Sequence, residues 1–397
     1  MRAEGEPVAG HGKPDFRVKG FGPSGGIDSR DAPRRPARDN GKAGVMSSIL
    51  IALWSCPTSH STRHCQKAPS VKYLEMDKAL EMCSRELYDN ANAISKSNPF
   101  QVIFAAPEYY FTAQGNQRTP LDESARAHLE GILLGMSRKY CRTLIVPGTL
   151  YYQKPLLRPV GTHKLDRRTG KIDVTTAPKD RRDKALGQLS DVMFRDVRDP
   201  NTRLMITNEA LATSNLNGVK GPTGLPMPSL VTRMEALAEK TSAVVRNATY
   251  LFLNGTRHGK YDKQSDYFES MCSPDDMVFV PGTRDECPVI GRHRFGVEIC
   301  ADHAYGRLMK RNPAGLHFHV VASDCVDNVE AHMAMTEHGY FLHASSDEAE
   351  TGVHYKDANG RITELLGDEY LYSEACGDGK LHYYLVKLPP TPGGPAK

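Results

Sequence analysis

The sequence predicts an α/β protein, in which sheets of strands are covered by helices. Two stretches support this class, residues 47–152 and 289–346, because each alternates apolar strand segments with segments of helical periodicity. Alternation of this kind is typical of layered α/β folds. No sequence repeat of fixed length is visible, so a repeat architecture is not indicated.

The first half supplies three predicted strands and two predicted helices. Short apolar runs that end at proline or turn residues predict strands over 47–57, 100–111 and 142–152. Apolar residues at helical spacing predict helices over 71–95 and 122–141. Asp122 or Ser124 is the expected cap of the second helix.

The second half repeats the alternation as far as the C-terminal residues. Strands are predicted over 247–255, 289–300, 316–325, 340–346 and 380–389. Helices are predicted over 228–245, 301–312 and 329–340. These elements extend the predicted domain to residue 390.

Composition divides the chain into a leader, one domain and a tail. Residues 1–45 contain almost no large apolar side chains, which predicts a disordered leader. One domain is predicted over 46–390, followed by a tail over 391–397. Within the domain, residues 153–246 are charged and punctuated by proline and glycine. We interpret them as an insertion on the α/β core, and a lid is one interpretation of its role.

Bulk composition favours a soluble, cytoplasmic protein that binds neither nucleic acid nor membrane. The 397 residues carry a net charge of only +4, with no sign of the concentrated basic surface that nucleic-acid binding needs. No apolar run reaches the ~20 residues that span a bilayer. The nine cysteines are odd in number and form no CxxC pair. This spacing indicates free thiols in a reducing compartment and predicts neither a disulfide framework nor a zinc cluster.

Cys300 is the first candidate for chemistry, because it ends the apolar stretch FGVEIC. We expect its thiol on the same face as Phe295 and Ile299, which suits either an inert buried cysteine or a nucleophile at a strand end. If a helix begins at Ala301, its N-terminus is expected to bring the pKa of the thiol below about 8. The Ala301 amide then also points into the site, as an oxyanion hole requires.

Glu108 and Lys263 occupy similar positions near strand ends. Glu108 follows three apolar residues and a proline, and burial there is expected to raise the pKa of its carboxyl, which suits a general base for a thiol. The alternative is a solvated glutamate whose neighbours Tyr109 and Tyr110 face the core. Lys263 lies in the polar stretch RHGKYDKQSD, where a surface lysine is the alternative and Lys260 competes for any role.

These three stretches together resemble the catalytic segments of the nitrilase superfamily, the carbon–nitrogen hydrolases. That family uses Glu, Lys and Cys in this chain order, in stretches similar to PEYYF, YDK and GVEICADH here. The stretches VFVPG and GTLYY are also similar to the family. The resemblance covers most of residues 47–152 and 247–346. The sequence departs from the family in the KQSD that follows the lysine and in the long separation between Glu108 and Lys263.

The resemblance implies a fold, an assembly and a reaction. The implied fold is an α-β-β-α sandwich, four-layered when dimerised, in a homodimer or higher oligomer. The implied reaction is hydrolysis of a non-peptide amide, carbamoyl or nitrile through a cysteine thioester, with a small-molecule substrate and no cofactor or metal. The CADH after the strand lacks the Trp-Glu of members that act on nitriles, so an amide or carbamoyl substrate is favoured.

The resemblance also implies roles for individual residues. Glu108 acts as base, Cys300 as nucleophile, and Lys263 with the Ala301 amide holds the developing negative charge. The remaining candidates are substrate-contacting or supporting residues, and they are Tyr109, Tyr110, Glu269 as a second glutamate, and His303 where amidase-like members usually carry arginine.

Three alternatives remain open from the sequence. An acyltransferase would use the same thioester with an amine or another acceptor in place of water. A binding protein on an inactive scaffold is suggested by the unusual lysine stretch and the insertion. Finally, His317 and His319 could join Asp302 and His303 in a metal site, or could be ordinary core histidines with hydrogen-bond partners.

Overall fold

The computed structural model of the chain describes residues 48–59, 62–155, 164–166, 171–173, 243–265, 277–279, 282, 286–311, 313 and 315–389. The chain divides into two compact units, Met1–Gly44 and Val45–Lys397. The predicted leader and tail, most of the predicted insertion, and Glu269 lie outside the described residues.

A large mixed sheet forms the first half of the sandwich. Its described strands are β1 Ser48–Ser55, β2 Val102–Ala105, β3 Thr143–Val146, β4 Leu150–Pro155, β7 Ala243–Leu253, β8 Thr256–Asp262, β9 Met277–Phe279, β16 Tyr370–Cys376 and β17 Gly379–Lys387. Their order is β16-β17-β1-β2-β3-β7-β4, and β8 and β9 also pair with β7. The central strands β1, β2 and β3 are parallel. Their carboxyl ends therefore lie at one edge, where α/β folds place their sites.

A smaller sheet forms the other half. Its described strands are β10 Val289–Ile290, β11 His293–Ile299, β12 Phe318–Ser323, β13 Tyr340–Ser345, β14 Gly352–Lys356 and β15 Ile362–Glu364, in that order across the sheet. Strands β11, β12 and β13 are parallel. A separate hairpin, β5 Lys164–Asp166 with β6 Lys171–Asp173, lies within the predicted insertion.

Alternating side chains place one hydrophobic core on each side of the large sheet. In β1, Leu50, Ala52 and Trp54 join a core with residues of the helices, whereas Ile51 and Leu53 join a core with the smaller sheet. This is the period-two pattern that a strand buried on both faces must have. The two sheets therefore pack face to face.

Helices cover both outer faces. Helices α2 Pro69–Asp89 and α3 Glu123–Lys139 contact the large sheet, and α4 Ala301–Ala304 and α5 Arg307–Arg311 contact the smaller one. A short helix, α1 Arg63–Gln66, precedes α2. The α-β-β-α sandwich implied by the resemblance is thus confirmed, and all four layers are present within a single chain. No helix in the described part of the chain is long and apolar enough to cross a membrane.

Most predicted elements are present, and the exceptions have local causes. The predicted helix 329–340 is wrong, because its residues form only a 3-10 turn, Glu330–His332, followed by irregular chain and a turn at 337–338. The predicted helix 301–312 is two short helices, separated at Gly306, which has a φ of 59°. The predicted strand 142–152 breaks between β3 and β4, where Gly148 has a φ of 73°. A side chain at Gly148 would lie within 2.1 Å of the Pro107 carbonyl, so the break requires glycine.

The predicted insertion leaves and re-enters the sheet at one point. Strand β4 pairs antiparallel with β7, and the pairing ends with Pro155 opposite Ala243. The last three residues of the predicted helix 228–245 belong to β7, and the rest of that helix lies outside the described residues. Pro155 and Ala243, the residues that flank 156–242, are therefore neighbours in the sheet.

The interface between the two sheets should carry much of the stability. Leu53 is fully buried there, so Leu53→Ala should lower the free energy of unfolding by roughly 2–5 kcal/mol, through lost burial and the cavity left behind. Leu366→Ala is the matched control, because Leu366 is 72% exposed and should change stability by less than ~0.5 kcal/mol. Denaturant unfolding of both variants measures the difference, and equal effects would contradict this packing.

Candidate functional site

The structure brings Glu108, Lys263 and Cys300 to one edge of the sandwich. Glu108 follows β2, Lys263 follows β8, and Cys300 follows β11 of the smaller sheet. The Lys263 Nζ lies 2.7 Å from the Glu108 Oε1, and both side chains are almost completely buried. Both charges act on the pKa of the Cys300 thiol, Glu108 raising it and Lys263 lowering it. Lys260, the competing lysine, instead pairs with Asp262 at 2.6 Å.

Glu108 is fixed by hydrogen bonds on its backbone and its carboxylate. Its N–H donates to the Ser323 carbonyl at 3.1 Å, and its carbonyl accepts from the Thr58 hydroxyl at 2.6 Å. Its Oε1 accepts from the Asn247 Nδ2 at 2.8 Å as well as from Lys263. Two donors therefore converge on one carboxylate oxygen, Oε1.

Asn247 is a site residue that the sequence analysis missed. It lies on β7, is 1% exposed, and its backbone carbonyl also accepts the Lys263 N–H at 2.8 Å. One residue thus orients both members of the Glu108–Lys263 pair. In the sequence it appears only within NAT at the start of an apolar strand, and no local signal connects it to Glu108, which is 139 positions away.

Lys263 is held from both sides of its backbone. Besides the bond to Asn247, its carbonyl accepts from the Gly282 N–H at 2.7 Å. A Cβ at Gly282 would lie 2.2 Å from the Asp262 Cβ, so only glycine fits this approach. Gly282 belongs to the stretch VFVPG that resembles the family. These contacts exclude the surface-lysine alternative for Lys263.

Cys300 reaches the inner face of its sheet through a strained turn. Strict alternation along β11 would place it with Glu298 on the outer face, but its φ of 44° and ψ of −107° turn it inward. It joins the core between the two sheets, together with Phe295 and Ile299. Its N–H donates to the Ala322 carbonyl at 3.0 Å, and its carbonyl accepts from the His303 N–H at 2.9 Å.

The Cys300 thiol is harder to ionise than the sequence predicts. Burial raises its pKa well above the usual value and Glu108 raises it further, against the lowering effects of Lys263 and the Asp324 N–H. The predicted low pKa is therefore wrong. Helix α4, which begins at Ala301, has only four residues, so its N-terminal effect cannot offset this burial. A base in contact with the thiol is needed to form the thiolate.

Asp302 connects the cysteine and lysine segments. Its carboxylate accepts from the Gln264 N–H at 2.9 Å, the Ser265 N–H at 2.7 Å and the Tyr261 hydroxyl at 2.8 Å. These partners flank Lys263, so one buried aspartate fixes the lysine segment of the large sheet against the cysteine turn of the smaller one. Burial raises the pKa of the Asp302 carboxyl to about 6, despite these hydrogen bonds.

An arginine and an aspartate flank the site beside Tyr109. The Arg118 guanidinium stacks 3.8 Å from the Tyr109 ring centre and pairs with Asp324 at 2.5 Å. Although burial opposes ionisation, Arg118 holds the pKa of Asp324 below its usual value. The Lys263 Nζ lies 5.7 Å from the same ring. Tyr109 therefore lies beside Lys263 and Arg118, in a left-handed conformation with φ 56°.

Two predicted site residues lie elsewhere. Tyr110 is fully buried in the core between the large sheet and its helices, and its hydroxyl donates to the Lys72 carbonyl at 2.9 Å. His303 lies on the outer face of the smaller sheet, where its Nδ1 contacts Glu298 at 3.2 Å. Tyr109 and Tyr110 lie in the turn after β2, and Asp302 and His303 lie in the single turn of α4, so neighbouring side chains point in different directions. Tyr109 and Asp302 therefore reach the site, and Tyr110 and His303 do not. Ala301 begins α4, and helices leave their first amides without internal partners.

The metal site that the sequence left open as an alternative has a different membership here, and its hydrogen bonds do not suit a metal ion. Glu298, His303 and His319 place one ligand atom each within 4.8 Å of one another, whereas Asp302 faces the lysine segment and His317 accepts from the Arg294 N–H. The His319 Nδ1 accepts from the Ala334 N–H at 3.1 Å, so the ring proton is on Nε2, which donates to Glu298 at 2.9 Å. That nitrogen has no lone pair left for a metal. The cluster is a hydrogen-bonded network.

The buried Asp302 should leave a signature in the pH dependence of stability. The pKa of Asp302 is about 6 in the folded protein and about 3.9 in the unfolded chain. The contribution of Asp302 to the unfolding free energy is therefore complete below about pH 3.9 and is lost as the pH rises to about 6. The unfolding free energy of the protein relative to Asp302→Asn should fall between about pH 4 and 6 and stay level above. Denaturant unfolding at several pH values measures this.

Asp324→Asn is the control of opposite sign. The pKa of Asp324 is lowered in the folded protein, so its contribution to the unfolding free energy is present above about pH 4 and is lost below. The unfolding free energy of the protein relative to Asp324→Asn should therefore be level between pH 4 and 6. A level curve for Asp302→Asn would show that Asp302 does not titrate in this range.

Comparisons with known proteins give only distant similarities. No protein-family model matches the chain, and no curated protein is similar to it. Among solved structures, Nit3 of Saccharomyces cerevisiae, described as a member of branch 10 of the nitrilase superfamily, is 13% identical with a TM-score of 0.39, over 87% of this chain and 93% of that chain. An amidase from Nesterenkonia sp. is 12% identical with a TM-score of 0.41, over 88% and 94%. These identities and scores are too low for a conclusion about this chain.

Proposed function

We propose that this chain is a carbon–nitrogen hydrolase of the nitrilase superfamily, which cleaves a non-peptide amide, carbamoyl or nitrile through a thioester on Cys300. The observation that carries the proposal is the buried Lys263–Glu108 pair at 2.7 Å, whose charges both act on the Cys300 thiol. A buried charge pair is costly, and strain and burial of this kind concentrate at functional sites.

The first step is attack by the thiol on the substrate carbon. Because the pKa of the thiol is raised, Cys300 reacts only as its proton passes to the Glu108 carboxylate. The new S–C bond pushes an electron pair onto the substrate oxygen or nitrogen. The Lys263 ammonium and the Ala301 amide stabilise that charge.

The second step releases the amine and then the acid. For an amide, Glu108 returns the proton to the leaving nitrogen as the C–N bond breaks, and ammonia or an amine leaves. Water then gives a proton to Glu108 and attacks the thioester. The S–C bond breaks, the thiol regains its proton and the carboxylic acid departs. Glu108 thus moves protons in both half-reactions, and two fixed donors on its Oε1 keep its Oε2 in position.

Substitution of the two central residues should stop the reaction. Cys300→Ala should reduce turnover of an amide and nitrile library to background, because the nucleophile is gone. Glu108→Gln, which keeps the shape of the side chain, should lower kcat by about 10²–10⁴ because the proton acceptor is lost. Ammonia release and mass spectrometry of Cys300 adducts measure this, and Cys141→Ser, at an exposed free thiol, is the control.

The product distinguishes the proposed reaction from its alternatives. Ammonia released without any added amine supports hydrolysis, whereas product that forms only with an amine acceptor would make the chain an acyltransferase. If the library yields no product and no Cys300 adduct with the unaltered protein, the inactive scaffold is the better description.

We expect Asn247 to affect kcat by orienting Glu108 and not by contacting the substrate. Asn247→Ala removes one of the two donors to the Glu108 Oε1, so we expect kcat to fall about tenfold with little change in KM. Asn328→Ala is the control, because this asparagine also bonds a glutamate, Glu350, on the smaller sheet. A rise in KM alone would place Asn247 in substrate binding instead.

A further inference from the structure

A group of basic side chains lies on the helix-covered face of the large sheet, away from the proposed hydrolytic centre. We define the cationic cluster as Arg126 on α3, Lys154 on β4, Arg246 on β7 and Lys260 on β8. Tyr152 is at its centre, because it is the cross-strand partner of Arg246 and its hydroxyl lies 3.2 Å from the Lys260 Nζ. The Arg126 guanidinium is 5.2 Å from the Tyr152 ring.

Arg246 is the buried base of the cationic cluster. It is 7% exposed, and within the part of the chain that the structure describes its Nε has no hydrogen-bond partner. Its described ion pair is a long one, 3.8 Å to Asp262, and Asp262 is already bonded by Lys260 at 2.6 Å. One long ion pair is poor compensation for a guanidinium that is almost completely removed from water, because burying a charge without good partners is costly.

Among the described residues, three carboxylates, Asp262, Glu130 and Glu123, act on the four cations of the cationic cluster, and two of the three are shared. Asp262 is shared by Arg246 and Lys260, and Glu130 is shared by Arg126 at 2.8 Å and Arg257 at 2.5 Å. Burial first, and then repulsion from Arg246, Lys260 and Arg126, lowers the pKa of Lys154. The positive charge is therefore crowded and incompletely paired. The half-buried Lys154 and Lys260 lie on the same face of the large sheet as the buried Arg246, and Arg126 lies on α3, which covers that face. This arrangement suits an anion.

We propose that the cationic cluster binds a small oxyanion, a carboxylate or phosphate group, with Arg246 at the base and Lys154, Lys260 and Arg126 at the rim. Guanidinium groups match such oxygens with paired donors, and lysines add point charges. The Tyr152 hydroxyl can donate one further hydrogen bond. The site is distinct from the hydrolytic centre, because Tyr152 packs in the helix-side core, whereas Cys300 lies in the core between the sheets.

Calorimetric titration of the full chain tests the site without using catalysis. Inorganic phosphate and acetate are titrated separately at an ionic strength held constant with sodium chloride, which screens surface charge equally in every run. We expect saturable binding of at least one of the two anions. Binding of phosphate alone identifies a phosphate site, and binding of acetate identifies a carboxylate site. If neither anion binds saturably, the proposal is overturned.

Variants show where the anion binds. Arg246→Met and Lys154→Met should each weaken binding at least tenfold, because each removes a charge-assisted hydrogen bond. Lys380→Met is the matched control, since Lys380 is half-exposed on β17 of the same sheet and should bind the anion as the unaltered protein does. If Arg246→Met does not fold, Lys154→Met and Arg126→Met at the rim replace it. Unchanged affinity in the folded rim variants would overturn the proposed location.

Discussion

The buried ion pair between Lys263 and Glu108 is the interaction on which the rest of the site depends. Each of these charges would be strongly unfavourable alone in the core, because burial removes its hydration. The pair persists because Asn247 bonds both partners and because Gly282 and Thr58 fix the adjacent backbone. Removal of either partner would leave an isolated buried charge beside Cys300. Both the local fold and the proposed chemistry therefore require an intact Lys263–Glu108 ion pair.

The site also depends on the contact between the two sheets. Glu108 and Lys263 belong to the large sheet, whereas Cys300 belongs to the smaller one. Three connections align them: the bond from the Glu108 N–H to the Ser323 carbonyl, the Arg118–Asp324 pair, and the bonds of Asp302 to the lysine segment. All three cross from one sheet to the other. The proposed nucleophile and its proposed base are thus brought together by the same packing that closes the hydrophobic core.

The sequence was sufficient for the layered fold and for the three ends of strands, because period-two alternation and Pro-Glu or apolar-Cys junctions are local signals. It could not find Asn247, whose role arises from pairing across the sheet with a residue far away in the chain. The sequence analysis placed Tyr110 and His303 at the site, because the sequence does not show which of two neighbouring side chains points toward it. It also predicted too low a pKa for the Cys300 thiol, because the sequence of one strand does not show that the opposite sheet buries it.

The pairing of Pro155 with Ala243 is useful for protein engineering. Since Pro155 and Ala243 are already paired across neighbouring strands, a tight turn could join them without altering the register of any strand in the sheet. The pairing of β4 with β7 therefore does not depend on the length of the chain between Pro155 and Ala243. A shortened protein would reveal what the excursion contributes, and other segments could be grafted at the same junction.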